Sequence, residues 1–271
     1  MQEPMTIIEN RSGWKLIDWK EIKEYRDLFY FLVWRDIKAR YAQSVLGVGW
    51  AIIQPVASMI VFTIVFGNLA QIDSDGVPYP IFSFSALVPW TFFAGALTAS
   101  STSLNLMITK IYFPRIILPF SSILSKSVDF VIALVILFGM MVIFQIVPTI
   151  WIMTLPLLIV ILMLTAIGFG MWLSALSVQY RDIHYGLHFG VQLLMYAAPV
   201  VYPASLIPEQ YRLIYAINPM VGVIEGFRSA LLSTNPMPWD LIIVGLVSTL
   251  VIAVSGAIYF KRREKLFADV I

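Results

Sequence analysis

Residues 130–180 read FVIALVILFGMMVIFQIVPTIWIMTLPLLIVILMLTAIGFGMWLSALSVQY and contain no Asp, Glu, Lys or Arg. The hydrocarbon core of a bilayer is about 30 Å thick, and a helix needs roughly 20 apolar residues to cross it. This stretch is therefore long enough to cross a membrane twice, and Pro148 marks where the first of the two helices has to end. The prediction for fold class is an all-α integral membrane protein.

The rest of the chain has the same character. It has 271 residues, of which 59% are hydrophobic and 13% charged, whereas about a quarter of the residues of a soluble domain are charged. No polar stretch is long enough for a separate soluble domain. The chain has no cysteine, which excludes thiol catalysis and zinc–thiolate sites. Four more runs lack charge: residues 41–72, 76–109, 183–208 and 241–260.

These runs, and the charged residues and prolines that interrupt them, predict six transmembrane helices. They are at residues 47–69, 81–108, 120–147, 152–178, 185–202 and 241–260. Lys and Arg near span ends set orientation, because cytoplasmic loops carry the excess of positive charge. Leaving aside Lys126, near the start of the third span, one face carries 15 Lys and Arg residues and the opposite face only Arg212 and Arg228. Both termini are therefore predicted to be cytoplasmic.

The chain before the first span is predicted to carry a helix on the cytoplasmic membrane surface. Asp18 and Glu21 have the spacing of a capping box, and an aromatic-rich apolar run at residues 28–34 is flanked by basic residues. Seven apolar residues are too few to cross, but aromatic and basic side chains together suit the headgroup layer. The alternative is a plain helix packed on the protein's own loops. The predicted organisation is a cytoplasmic region with an amphipathic interface helix (1–46), a six-span domain (47–260) and a cytoplasmic tail (261–271).

The segment between the fifth and sixth spans is predicted to form short re-entrant helices in the outer leaflet. It is too short for a domain and too apolar for a free loop. Pro219 suits the first turn of a helix, which would run from Met220 to Leu232. Glu225 and Arg228 are three residues apart and can pair on one face.

The chain lacks visible means of powering transport or catalysing a reaction. It has no G-x-x-x-x-G-K-[ST] motif. His184 and His188 share a helix face, but Tyr185 stands where a zinc protease needs Glu, so no metal site is predicted. Lys126 and Asp129 can form an interfacial pair, and no Asp, Glu, Lys or Arg lies at mid-depth in the spans, which argues against ion-coupled transport and intramembrane hydrolysis.

A partner that supplies energy resolves this difficulty. Such a partner would contact short cytoplasmic loops held to the spans, at residues 109–119 and 179–186. The alternative is that these charged loops only set the topology.

Several motifs, in order along the chain, resemble those of the permeases of polysaccharide ABC exporters. This is the type-2 ABC exporter family that moves O-antigen, capsular polysaccharide and teichoic acid. The motifs are Trp34-Arg35-Asp36-Ile37-Lys38-Ala39-Arg40-Tyr41, Ser44-Val45-Leu46-Gly47-Val48-Gly49-Trp50, Gln54-Pro55, Phe113-Pro114-Arg115, Leu118-Pro119, Tyr180-Arg181-Asp182 and Ile217-Asn218-Pro219.

The resemblance implies a bacterial cytoplasmic (inner) membrane protein that works as two copies with two ATPase subunits. ATP and Mg²⁺ would bind to the ATPase. This chain would bind no cofactor, and nucleic acid would not be among its partners. The substrate would be a lipid-linked polysaccharide, usually on undecaprenyl pyrophosphate.

The resemblance also assigns residues. The interface helix would use Arg35, Asp36, Lys38, Arg40 and Tyr41 beside membrane lipids. The ATPase-coupling residues would be Lys110, Ile111, Tyr112, Phe113, Arg115, Arg181 and Asp182. The candidates for an aromatic channel lining are Trp50, Phe62, Phe66, Trp90, Tyr196 and Tyr202, each of which could instead face lipid or belong to the interfacial aromatic belt.

Two other functions remain open at this point. One is an ABC permease for drugs or lipids. The other is a membrane enzyme acting on lipid-linked sugars, for which Asp182, His184, His188 and Glu225 are the only plausible catalytic set.

Overall fold

The structure is a computed structural model, and it describes residues 23–42, 46–104, 113–180, 182–233 and 235–264. Within these ranges the regular elements are all helices. They are α1 (Arg26–Tyr41), α2 (Gly49–Phe62, continued by a π-helical turn at Thr63–Leu69), α3 (Tyr79–Ser103), α4 (Ile117–Ser125), α5 (Ser127–Ile143), α6 (Leu155–Gln179, preceded by a 3₁₀ turn at Ile150–Thr154), α7 (Ile183–Tyr196), α8 (Glu209–Tyr215, preceded by a 3₁₀ turn at Ala204–Leu206), α9 (Pro219–Leu232) and α10 (Trp239–Glu264).

Five of the described helical segments are long and apolar enough to cross a membrane: Gly49–Leu69, Tyr79–Ser103, Ile117–Ile143, Ile150–Gln179 and Trp239–Glu264. Each overlaps a predicted span, so the all-helical membrane fold is confirmed. The predicted fifth span, residues 185–202, forms the 14-residue helix α7 and then a series of turns. At 1.5 Å per residue α7 is about 21 Å long, short of a bilayer's hydrocarbon core. The count of six spans therefore stays a prediction.

Helix α3 lies at the centre of the bundle. In its most apolar stretch 78% of the residues are buried, against 11% in the first span. It packs against α2, α4, α5, α6, α7 and α9. Aromatic contacts fix two of these neighbours: Phe92 meets Phe130 of α5 at 5.3 Å between ring centroids, and Phe93 meets Phe169 of α6 at 5.9 Å. Such edge-on pairs add to the dispersion energy of the packed core.

Helices α6 and α10 form the closest helix pair. A Cβ atom added at Gly168 would lie 2.9 Å from the backbone of Ala253, so the two backbones nearly touch. The hydroxyls of Thr165 and Thr249 lie 2.9 Å apart across the same interface. Small residues and interhelical hydroxyl bonds are the usual means of helix association in lipid, where apolar burial gives little driving force.

Helix α9 lies where the sequence predicts a helix from Met220 to Leu232. The side chain of Asn218 caps it by accepting from the backbone N–H of Met220, Pro219 occupies the first turn, and Ser233 ends it in the left-handed conformation. All 14 residues are buried, among α3, α6 and α10. A Cβ at Gly245 would lie 3.4 Å from Pro219, so α9 begins beside a point six residues into α10. This depth agrees with re-entry into the outer leaflet, which stays a prediction.

Helix α1 has two apolar faces instead of the single one of a simple amphipathic helix. Leu32 is completely buried and packs, with Leu28 and Phe29, against a cluster formed by the ends of α3, α4, α6 and α10. Tyr30, Phe31 and Trp34 are exposed. The alternative of a helix packed on the protein itself thus describes the inner face, and the exposed aromatic face is the one available to headgroups.

We expect Gly168→Val to destabilise the protein, because the added side chain has backbone rather than a movable side chain in its way. Overpacking of this kind costs about 1–3 kcal/mol or more. The measurement is the midpoint of thermal unfolding of the purified protein in detergent. The matched control is Gly139→Val in α5, where an added Cβ meets no atom of the described residues within 4 Å. Equal midpoints for the two variants would contradict the close α6–α10 contact.

Candidate functional site

A cluster of charged and hydroxyl groups fastens the end of α1 to the third span. We call it the docking cluster: Arg40, Tyr41, Ser125, Lys126 and Asp129. Arg40 Nη1 lies 2.8 Å from Asp129 Oδ2, and the Tyr41 hydroxyl donates to the other oxygen of the same carboxylate. Arg40 also donates to the Ser125 hydroxyl at 3.1 Å, and Lys126 Nζ lies 3.5 Å from Asp129. One carboxylate thus holds two cations and a phenol from elements almost 90 residues apart in sequence.

Burial shifts the pKa of the phenol in the docking cluster. It raises the pKa of Tyr41 to about 12, with the hydrogen bond to Asp129 acting in the same direction. The phenol therefore stays protonated and remains a donor at any physiological pH. The Arg40 and Asp129 side chains are 26% and 28% exposed, so their attraction is less screened than that of a surface pair.

A second contact lies one turn earlier on α1. The Arg35 guanidinium lies 2.8 Å from Asp36, and Asp36 accepts a 3.3 Å hydrogen bond from Ser122 of α4. Lys38, by contrast, is exposed. Of the five interface-helix residues predicted from the sequence, Asp36, Arg40 and Tyr41 thus reach the spans by side-chain bonds.

The predicted coupling residues divide into three groups. Phe113 packs against the apolar cluster that also holds Leu32, and Arg115 donates to the backbone oxygen of Glu264 at 2.9 Å. Asp182 is exposed at the turn between α6 and α7. The remaining ones, Lys110, Ile111, Tyr112 and Arg181, lie outside the described residues.

At the other end of the bundle, Glu225 and Arg228 form the ion pair that their spacing predicted. The guanidinium is 1% exposed and lies 2.8 Å from Glu225 Oε1. It also donates to the carbonyl oxygens of Val200 and Tyr202, and it lies 3.7 Å from the centroid of the Phe82 ring. Glu225 in turn accepts from the backbone N–H of Ala204. The pair therefore holds the turns that follow α7 against α3 and α9.

The six aromatic candidates for a channel lining are not brought together. Trp50 is 48% exposed at the start of α2, while Phe62 and Phe66 pack edge to face, half-buried, 5.6 Å apart. Tyr196 and Tyr202 meet at the C-terminal end of α7, where the Tyr202 hydroxyl donates to the Tyr196 carbonyl. Trp90 is only 4% exposed and belongs to the central core.

The catalytic set considered for a membrane enzyme is also dispersed. Asp182 lies at the N-terminal end of α7. Glu225 lies beyond the C-terminal end of α7, where it is bound to Arg228 and to the backbone N–H of Ala204. His184 approaches Ser101 at 3.4 Å, and His188 approaches Gln192 at 3.3 Å. Since α7 is about 21 Å long, the carboxylates cannot act on one bond.

With this geometry in hand, the chain can be compared with known proteins. Residues 27–232 match the model of the ABC-2 type transporter family. The chain belongs to the ABC-2 type transporter family.

Three relatives of this ABC-2 chain carry names that specify a transported material. This chain is 27% identical over 257 residues to the O-antigen export system permease protein RfbA of Myxococcus xanthus, and the alignment covers 92% of this chain and 97% of that protein. A Klebsiella pneumoniae protein of the same name is 24% identical, with 90% and 95% covered. The polysialic acid transport protein KpsM of Escherichia coli is 22% identical, with 73% and 78% covered.

Sequence reasoning on this ABC-2 chain missed the long-range half of the docking cluster. The pairing of Lys126 with Asp129 followed from a spacing of three, but nothing local joins Arg40 and Tyr41 to Asp129. The available signal was indirect: an acidic residue near the cytoplasmic end of a span needs a cationic partner.

We expect Asp129→Ala to loosen α1, because Arg40 and Lys126 both lose their carboxylate. Leaving half-buried charges unpaired costs about 2 kcal/mol. The measurements are the thermal unfolding midpoint and the rate of proteolysis within α1. The matched control is Asp27→Ala on the same helix, whose side chain is 95% exposed in a loose pair with Arg26. If the two variants unfold alike, the docking cluster does not hold α1.

We expect Arg228→Ala to be among the most destabilising single changes, because it leaves Glu225 buried without its cation. Breaking a buried pair costs about 3–5 kcal/mol. The double variant Glu225→Leu/Arg228→Met should recover part of this loss, since no charge is then left buried. Unfolding midpoints check both, with Arg212→Ala as the control for a partly exposed outer arginine paired at 3.5 Å with Asp240. A double variant less stable than Arg228→Ala would contradict this explanation.

Proposed function

We propose that this chain is the transmembrane subunit of an ATP-driven exporter of lipid-linked polysaccharide in the bacterial cytoplasmic membrane. The observation that carries the proposal is the match, over about nine-tenths of both chains, to permeases named for O-antigen export. KpsM, named for polysialic acid transport, supports the same class of substrate. No comparable observation favours drugs or lipids as the substrate.

A separate ATPase subunit supplies the energy in this proposal and binds ATP and Mg²⁺. The support is that this chain lacks a nucleotide-binding motif and has no Asp, Glu, Lys or Arg at mid-depth in its predicted spans. The ATPase would sit at the cytoplasmic face, where both termini are also placed. Its contacts would be the segment 110–115 and the pair Arg181 and Asp182.

The described contacts offer a mechanical route from that face into the spans. Arg115, which follows α3, is bonded to the last described residue of α10. Helix α1 is bonded to the third span through the docking cluster. A push on the cytoplasmic loops would thus be transmitted to α3, α10 and the third span together, because these bonds restrict independent movement of the helices.

A second copy of the chain completes the transporter in this proposal. The support is the incomplete cover of two helices: α7 has no buried residue, and few residues of the first span are buried. On α7 the exposed apolar residues recur at helical spacing, at Tyr185, Phe189, Leu193 and Tyr196. The path for the glycan would then run between the two copies, beside α2 and α7.

Burial reduces the set of aromatic residues that can line the path. Trp50, Tyr196 and the half-buried Tyr202, Phe62 and Phe66 are on or near these uncovered helices and keep their proposed role. Trp90 would need a rearranged core to reach the path, because it is packed on all sides.

The test is restoration of surface polysaccharide in a host whose own permease gene is deleted, with the ATPase encoded beside this chain supplied. We expect wild-type chain to restore export and to co-purify with that ATPase. Arg181→Ala/Asp182→Ala should abolish export while leaving the chain in the membrane, because the push from the ATPase is no longer received. Asp73→Ala, on the predicted outer loop, is the matched control and should export normally. Export without any ATPase, or full export by the double variant, would contradict the proposal.

A further inference from the structure

The central helix α3 exposes only threonine. Its residues 79–103 are all described, and those classed as exposed are Thr91, Thr98 and Thr102. At about 100° per residue these positions fall within roughly 40° of one another, on a single face. Gly95 lies on the same face, where the side chain of Lys126 runs 3.5 Å from the position of an added Cβ. Trp90, the neighbour of Thr91, turns inwards.

Helix α7 borders this threonine face with polar side chains. His184 Nδ1 lies 3.4 Å from Ser101 Oγ and fixes the depth of α7 against α3. The two helices run in opposite directions in the predicted topology, so His188 lies about 6 Å further out than His184, close to the depth of Thr98. Gln192, two turns out, approaches the depth of Thr91.

The packed face of α7 shows which way these side chains turn. Leu187, Val191 and Met195 pack against the core, and His188 and Gln192 each follow one residue after a packed position. Each step of one residue, from Leu187 to His188 or from Val191 to Gln192, rotates the side chain by about 100° around α7. Because α7 is antiparallel to α3, this rotation is towards the exposed face of α3. Both side chains are exposed and lie 3.3 Å apart. Threonine, imidazole and amide groups therefore line one cleft.

These groups are suited to water and sugar, and poorly suited to lipid. Each threonine hydroxyl donates to a carbonyl of its own helix, at 3.2 Å for Thr91, 2.9 Å for Thr98 and 3.0 Å for Thr102. The O–H donor is thus used, and both lone pairs of the oxygen are free to accept from the cleft. An imidazole and an amide facing hydrocarbon would leave polar groups unsatisfied, so a polar face at this depth indicates a hydrated cleft.

We propose that Thr91, Thr98, Thr102, His188 and Gln192 form a hydroxyl-binding floor that positions the sugar units of the exported glycan. This inference rests on the proposed function. The ligand is the hydroxyl groups of sugar units, since the five residues offer hydroxyl and amide acceptors and amide or imidazole donors. Neutral hydrogen bonds exchange with water at small net cost, so a chain can advance along such a floor without being trapped.

The glycan is a better occupant of this cleft than a second copy of the chain. The surface of α7 available to a second copy is its apolar ridge at Tyr185, Phe189 and Leu193. An apolar helix laid over His188 and Gln192 would strip their water without replacing its hydrogen bonds, which is costly.

The natural absence of cysteine makes the cleft directly testable. Thr98→Cys and His188→Cys are introduced singly into the full exporter with its ATPase and treated with a charged, water-soluble thiol reagent. The matched control is Val135→Cys, a position of α5 that is 65% exposed and faces lipid in this arrangement. We expect fast modification at the first two positions and not at the third, and slower modification when export is stalled with glycan in place. Modification no faster than at the control, or a disulfide between copies at Thr98→Cys, would overturn the inference.

Export itself gives the second measurement. Thr91→Val/Thr98→Val/Thr102→Val keeps the shape of the floor and removes its oxygens. We expect surface polysaccharide to fall at least about fivefold, the factor that corresponds to one net hydrogen bond, with assembly and ATP hydrolysis retained. Thr154→Val, whose hydroxyl bonds to Trp151 outside the cleft, should export normally. If wild type restores export and the triple variant exports equally well, the floor is wrong and the proposed function stands. If wild type restores nothing, the proposed function itself fails.

Discussion

The arrangement of the helices depends on the burial of α3. An apolar helix gains little from meeting another apolar helix in lipid, because the tails are equally apolar. Close approach and interhelical hydrogen bonds must therefore hold the bundle, and both are found where α3 meets its neighbours. The Ser177 hydroxyl of α6 donates to the Ser101 carbonyl at 2.5 Å. Tyr79, at the outer end of α3, donates to the carbonyl of Val201 at 2.7 Å.

Charge is concentrated at the two ends of this bundle. At one end, the carboxylate of Asp129 binds Arg40, Lys126 and the Tyr41 phenol. At the other end, the buried Arg228 contacts a carboxylate, two carbonyl oxygens and an aromatic ring. Both sites obey the rule that a charge withdrawn from water needs partners. They also leave the middle of the spans without Asp, Glu, Lys or Arg.

Features with a local signal could be predicted from the sequence, and features made by distant contacts could not. Charge-free runs located five long helices, and Asn218-Pro219 located the start of α9. The spacing of Glu225 and Arg228 gave their pair. The end of α7 was hidden, because the charge-free run continues past the helix. The exposed face of α3 was hidden as well, since a helix buried on nearly every side has no apolar periodicity to read. The sequence therefore predicts Trp90 as a lining residue, and it carries no sign that Trp90 is buried and its neighbour Thr91 exposed.

A single turn residue, Lys126, separates the short helix α4 from the longer helix α5 within the third span. Helix α1 packs along α4, and its Arg40 and Tyr41 bind Asp129 on α5. Helix α1 therefore contacts the third span on both sides of Lys126. A change in the angle between α4 and α5 would alter these contacts, so the conformation of the third span and the attachment of α1 are coupled.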